Sequence, residues 1–221
     1  MTEPTLHERL RQAILSLDLA PGQRLSERGL EPEFGASRTP IRAALMRLES
    51  EGLVRRDAKG WIVTPLDLDE IATISEFREV LEVAGVRLSC ERASSADLEA
   101  AAELARAPRP RETPEESIGM GTSFHLELAK LSGNLFLVTA LDGVLTRLYR
   151  TRWLEVTTPE SRARTHVEHE KLARALIARD ADAAELAILE HLRGGRARLL
   201  ESLAGERQRL RASGVSIEGG M

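Results

Sequence analysis

Apolar positions fall into helical steps almost from the start of the chain. Leu6, Leu10, Ile14 and Leu17 recur at intervals of three or four, which puts them on one face of a helix. Pro21 and Gly22 break that pattern. Ser26 is placed to cap a second, short helix, Glu27 suits its positive end, and Gly35 stops it. Ser37 is placed to cap a third helix, with Pro40 in the first turn, where a missing N–H costs little. Ile41, Leu45 and Leu48 form the apolar stripe of that helix, and Gly52 ends it. The rhythm then changes. Residues 53–56, a turn of Asp57, Ala58, Lys59 and Gly60, and residues 61–63 read as a β-hairpin. Three helices followed by a hairpin form a winged helix-turn-helix pattern.

A proline, Pro65, marks the expected boundary, and beyond it the pattern is helical throughout. A helix is expected over residues 67–92, with Ile71, Ile74, Phe77, Leu81, Ala84 and Leu88 as its apolar stripe. Others follow at residues 96–105, 115–131, 135–156, 159–179 and 181–203, with a proline-rich connector at 107–114. The predicted fold class is mainly α, a winged helix-turn-helix over residues 1–65 followed by an all-α antiparallel bundle over 66–205. Residues 206–221 are polar and glycine-ended and are expected to fray.

Composition supports this reading. Only 3% of residues are aromatic while 42% are hydrophobic, which disfavours a β-sandwich and suits aliphatic helix packing. The single cysteine, Cys90, excludes an internal disulfide framework and a cysteine-based zinc module. No apolar run is long enough to span a membrane, and the N-terminal stretch carries charges and lacks a signal-peptide core, so the expected compartment is cytoplasmic. Net charge is -4, which argues against a highly basic coat protein for nucleic acid. The charge is uneven, however. Up to Pro65 there are 10 Lys or Arg against 9 Asp or Glu, and the remainder carries 21 against 26.

The third helix carries the first candidate chemistry. Arg38, Thr39 and Arg42 lie beside the stripe of Ile41, Leu45 and Leu48, so one face packs inward and its neighbour offers two guanidiniums near the helix N-terminus. That end enters the major groove in helix-turn-helix proteins, arginine bonds guanine bidentately, and the Ser37 and Thr39 hydroxyls suit phosphate or base edges. Lys59 and Gly60 at the hairpin tip are candidates for a neighbouring minor groove or backbone. The run Pro21, Gly22, Leu25, Ser26, Glu27, then Phe34 to Arg42, with Ala44, Leu45, Leu48, Gly52, Leu53 and Val54, resembles the GntR family of bacterial transcription regulators. The resemblance implies that Arg28, Arg38 and Arg42 contact operator DNA, with Thr39 assisting and Gly60 at the wing tip. It also marks two departures: Ala43 stands where the family usually carries Glu, and Pro32 sits inside the second helix, where it is expected to introduce a kink.

The second candidate is a set of histidines on inward faces of separate helices. His125 lies beside Leu128 and Ala129, His169 shares a stripe with Leu172, Ala173 and Leu176, and His191 shares a face with Ala184 and Ile188. A lone inward histidine is more often a hydrogen-bonded core residue than a ligand, whereas three on one bundle can converge on a metal such as Zn or Ni. The segments Phe124–His125, Ser132-Gly133-Asn134, Glu168–His169, Asp180 and His191 are similar to the FCD ligand-binding domain of FadR-type GntR regulators. That resemblance implies a divalent metal held by His125, His169 and His191 beside a small organic acid. The aspartate such domains carry one turn before the first histidine is here Gly121, and Glu115 or Glu116 replaces it only if the helix rearranges. Arg78, at the edge of its helix stripe, has two candidate partners, Glu82 at i+4 or an effector carboxylate. Arg152 is a weaker second candidate, His166 a second-shell or surface residue, and Asn134 a helix cap.

Together these features point to a ligand-responsive DNA-binding regulator that is not an enzyme, reads a palindrome as a homodimer and takes a small carboxylate effector. Two alternatives stand beside it. One is a three-histidine metalloenzyme with an accessory DNA-binding fold, for which no general acid or base is evident. The other is a metal-free regulator binding a larger acyl ligand.

Overall fold

A computed structural model describes residues 3–106, 113–156, 158–212 and 216–219. The chain forms two compact units, one of Met1–Ile71 with Ala204–Met221 and one of Ala72–Leu203.

In the first unit, α1 (Leu6–Leu15) begins with a capping box between Thr5 and Glu8. It ends before Leu17, which adopts φ +67° in the following turn, so the stripe closes on the buried Leu15 instead. α2 (Glu27–Phe34) is capped by the Ser26 side chain, which accepts from Gly29 N, and ends at Gly35 in the left-handed region. Pro32 is accommodated within that one continuous helix. α3 (Arg38–Ser50) buries Ile41, Leu45 and Leu48 completely against α1 and the sheet. Ser37 occupies the N-cap position, but its side chain makes no capping hydrogen bond, contrary to the expectation from sequence.

The hairpin forms from β2 (Val54–Asp57) and β3 (Gly60–Val63), with Gly60 at φ +121° just past the turn. Only glycine takes that backbone conformation cheaply. A further strand, β1 (Arg24–Leu25), pairs antiparallel with β3 and completes a three-stranded sheet. The Pro21–Gly22 break returns the chain to the sheet, and Gly22 N donates to Val63 O.

Where fraying was expected over 206–221, the structure differs. The last helix runs on to Ala212, and Ile217–Glu218 forms a strand parallel to Leu66–Asp67. These are β5 and β4 in chain order. The physical reason is Ile217, an apolar residue in a polar stretch, which is 5% exposed. Ser216 N donates to Pro21 O and Arg55 pairs with Glu218, so the segment is held by backbone and charge as well.

The second unit is built from α4 (Leu68–Arg92), α5 (Ser95–Arg106), α6 (Pro114–Leu131), α7 (Leu135–Glu155), α8 (Pro159–Ile177) and α9 (Ala181–Ala212), of which α4 and α9 extend into the first. The prolines that begin α6 and α8 sit where their missing N–H is harmless, each behind a threonine capping box. Asn134 Oδ1 accepts from Phe136 N and Leu137 N and so caps α7. One core joins Val86, Leu98, Phe124, Leu172, Leu176 and Ile188, and a smaller one joins Leu137, Leu141 and Leu145. Most of the expected proline-rich connector, residues 107–112, lies outside the described residues.

The stripe expected on α4 is rotated. Phe77 is 50% exposed, while Arg78, Glu82, Val86, Ser89 and Cys90 are buried. Helical spacing cannot distinguish a face buried for its apolar side chains from one buried because its charges are matched inside.

Gly22 connects the two ends of the first unit. Its φ is +85°, and a Cβ there would stand 2.3 Å from Ser216 Cβ. Gly22→Ala is therefore expected to cost roughly 1–3 kcal/mol through strain and displacement of the tail. Urea unfolding measures this, and an unchanged midpoint would contradict the packing described.

Candidate functional site

Two places concentrate chemistry, one in each unit. On the first, Arg28, Ser37, Arg38, Thr39, Arg42, Lys59 and Gly60 are all exposed. Ser37, Arg38 and Thr39 open α3, Arg42 follows one turn on, Arg28 lies in the first turn of α2, and Lys59 and Gly60 form the hairpin tip. The α3 terminus thus presents backbone N–H groups, hydroxyls and guanidiniums together, an arrangement suited to phosphate and base edges.

Two carboxylates that sequence reasoning missed hold these arginines. Glu27 accepts two bonds from Arg42, Nε and Nη2 each at 2.7 Å, and the pairing keeps the Glu27 carboxyl below its usual range. Arg38 Nε lies 3.6 Å from Glu31. Both acids come from α2, so the second helix aims the side chains of the third. At the wing, Asp57 pairs with Arg24 and accepts from Lys59 N, and the Arg56 guanidinium sits 4.2 Å over the Trp61 ring. These contacts stiffen the tip that carries Lys59.

In the second unit, three histidines converge. His125 from α6, His169 from α8 and His191 from α9 are buried, and one ligand atom from each lies within 4.8 Å of the others. Their ring centroids are 4.7 to 5.2 Å apart. His125 Nδ1 is 2.5 Å from Glu82 Oε2, and His191 Nδ1 is 2.7 Å from Glu168 Oε2. Each carboxylate fixes its ring by one nitrogen and leaves Nε2 available. Nε2 of His125 and of His169 are buried without a hydrogen-bond partner. Buried polar atoms are rarely left so, and this donor set fits a divalent ion such as zinc. His166 is half-buried and outside the group. Glu116 is exposed and engaged in the α6 capping box, which keeps it from substituting as a ligand. The Glu115 side chain lies outside the described residues.

Behind the histidines stands a charged layer. Glu82, buried, accepts from Arg78 Nε at 2.5 Å as well as facing His125. Arg78 thus has the internal partner foreseen for it, yet its Nη2 remains buried and unpartnered. Arg152 donates to Thr122 Oγ1 at 2.8 Å, and burial followed by repulsion from Arg78 lowers its pKa to about 10. The Glu82 carboxyl goes the other way: burial alone would raise it, but Arg78 and His125 outweigh that and hold it far below its ordinary value. Burial raises Glu155. Arg78, Arg152, Glu155 and His191 line one cavity with Ser75, Leu148, Leu192 and Gly195. A cation-lined cavity beside buried imidazoles can receive a small anion. The pairings of Glu82 with His125 and of Glu168 with His191 escaped sequence reasoning because the partners lie 43 and 23 residues apart.

Comparison with known proteins agrees with this division. The family model described as bacterial regulatory proteins, gntR family, matches residues 3–63, and the FCD domain model matches residues 73–194. The Nta operon transcriptional regulator of Aminobacter aminovorans is 28% identical over 86% of this chain and 91% of its own. An uncharacterized HTH-type transcriptional regulator in an unstable DNA locus of Streptomyces ambofaciens is 33% identical, over 85% of this chain and 80% of its own. Among solved structures, E. coli McbR/YncC has the same fold, with a TM-score of 0.71 at 22% identity over 89% of this chain and 95% of that one. Among the described residues, no helix is long and apolar enough to cross a membrane.

Burial, with repulsion from Arg78 and Arg152, outweighs Glu82 and lowers the His125 pKa from 6.5 to about 4, and burial with repulsion from neighbouring histidines holds His169 and His191 well below 6.5. Unfolding at acid pH then takes up protons, so the stability due to neutral rings is complete above pH 6.5 and is lost as pH falls toward 4. Each ring contributes a slope of about 1.4 kcal/mol per pH unit within that window. In metal-free protein the urea midpoint should fall steeply from pH 6.5 downward, and His169→Phe should reduce the slope by one proton's share. A flat profile would refute the assignment of neutral buried rings.

Proposed function

Because the chain belongs to the gntR family of bacterial regulatory proteins and carries an FCD domain, we propose that it binds a palindromic operator as a homodimer and that a small carboxylate in its helical unit changes its affinity for that DNA. It is a DNA-binding transcription regulator with a ligand-binding C-terminal domain, and not an enzyme. Residues 1–65 are assigned to DNA reading and 66–205 to sensing and pairing, with the cytoplasm as the working compartment.

The observation that carries the reading-head assignment is the exposed N-terminus of α3 beside a fully buried stripe. Arg38 and Arg42 act as base readers, with Glu27 and Glu31 orienting them. Arg28, Ser37 and Thr39 take phosphate or base edges, and Lys59 and Gly60 take the adjoining groove or backbone. Two heads must be held together to read a palindrome. The exposed Phe77 and Val80 on α4 support pairing through the helical unit, since large apolar side chains there gain from being covered by a second copy.

In the sensor, His125, His169 and His191 would hold a divalent metal, zinc or nickel, which would supply a Lewis acid for an oxygen ligand. The protein's own part is positioning. Glu82 and Glu168 fix two rings, while Arg78 offers its free Nη2 to a carboxylate. By linkage, the effector shifts DNA binding only through unequal affinity for the competent and incompetent states. The cavity holds about one water molecule as it stands, which supports a compact effector over a long acyl chain.

Arg38→Ala and Arg42→Ala are each expected to weaken operator binding by about 1–3 kcal/mol, roughly 5- to 150-fold, with the fold and oligomeric state unchanged. Gel shifts on an operator selected from random DNA check this. Unaltered shifts from both variants would overturn the reading-head assignment.

A further inference from the structure

The strip of α3 that faces directly away from the core carries no charge. At about 100° per residue, Ile41, Ala44, Leu45 and Leu48 gather on the buried side of the helix. Thr39, Ala43 and Met46 stand opposite them, at i, i+4 and i+7, and all three are exposed. Arg42 borders this strip on one edge, held to Glu27 of α2 by two bonds. Arg47 borders it on the other, with its Nε 3.7 Å from Glu51. Charges flank the strip, and methyl groups fill it.

Met46 is 54% exposed, and among the described residues of the reading head it is the one large apolar side chain so placed. Side chains on a helix lean toward its N-terminus and cover the turn before their own Cα. Met46 therefore lies over the turn of Arg42 and Ala43, toward the end that Arg38 and Thr39 open. Ala43 projects only a methyl group, so it leaves room beside the Met46 side chain. A carboxylate at 43 would accept from a cytosine amine, which an alanine cannot do.

The chemistry of base edges decides what such a strip can read. Guanine, adenine and cytosine offer donors and acceptors in the major groove, which guanidiniums, amides and carboxylates answer. Thymine adds a C5 methyl group, which only an apolar contact answers. Covering that methyl and Met46 together removes apolar surface of both from water. Phosphate, by contrast, gains nothing from Ala43 or Met46.

We propose that Ala43 and Met46 read a thymine in the operator, covering its C5 methyl group beside the base that Arg42 contacts, with the Thr39 methyl extending the same strip. This deepens the assignment of α3 to DNA reading and rests on it. The arginines, aimed by α2, set the register of the helix in the groove. The methyl strip then adds a base requirement that hydrogen bonding cannot supply. Met46 is the larger contributor, because it has more surface to cover and enough rotatable bonds to fit the methyl closely.

The test uses the full-length protein and an operator selected from random DNA, with affinity read by fluorescence anisotropy. Each thymine of one half-site is replaced in turn by deoxyuridine, which keeps the base pair and removes only the methyl group. At one of these positions affinity should fall about fourfold. Met46→Gln should bind the thymine and uridine operators equally, whereas Met46→Leu, which stays apolar, should keep most of the difference. Met46 is exposed, so neither variant disturbs the core. Uridine tolerated at every position, with specific binding intact, would overturn the thymine assignment and leave the reading head standing. A methyl effect that survives unchanged in Met46→Gln would overturn it as well. If no operator emerges from random DNA, the reading-head assignment fails and this proposal falls with it.

Discussion

A carboxylate buried away from solvent must have its charge answered by the protein, and Glu82 is that carboxylate here. It is 4% exposed and faces Arg78 on its own helix and His125 on the next. Removing Arg78 leaves an uncompensated buried charge, among the costliest defects a core can carry, and removing the neutral His125 ring leaves a buried carboxylate oxygen without its donor. α4 and α6 are therefore fixed in register by a polar contact, with apolar packing around it. His125 in turn holds its tautomer through Glu82, and the three-ring cluster depends on that orientation.

The two units use arginine in opposite ways. In the reading head, Arg38 and Arg42 are exposed and held by α2 carboxylates, so they are aimed yet can exchange partners at little cost. In the helical unit, Arg78 and Arg152 are buried, and their donors face a space rather than a solvated surface. Water competes for the first pair and is largely excluded from the second. Exposed arginines suit a partner found by diffusion and read by shape and hydrogen bonding, whereas buried ones suit a small ligand recognised by charge.

Much of this was legible in the residues. Helical steps located each long helix to within a few positions except at the end of α9, and glycines and prolines marked the breaks because they act on the backbone directly. The convergence of His125, His169 and His191 was readable as a possibility, since each lies on a stripe of small and aliphatic residues. What sequence could not supply was pairing over distance. Glu27 sits 15 residues from Arg42 and Glu82 sits 43 from His125, and no local periodicity links them. The α4 stripe was misread for a related reason: Phe77 looks like core by type, yet the inward face belongs to charges that match one another. β1 and β5, each of 2 residues, are too short to leave a pattern.

The parallel pairing of Ile217–Glu218 with Leu66–Asp67 makes the reading head a discontinuous piece of chain. Residues 217 and 218 supply the strand partner for the short strand that precedes α4. A head excised as the first 71 residues would leave Leu66 without its strand partner and Pro21 O without Ser216. Recombination between relatives, natural or engineered, therefore exchanges an intact head only when residues 1–71 and 204–221 travel together. The single internal crossover point that makes many regulators easy to shuffle is absent from this topology.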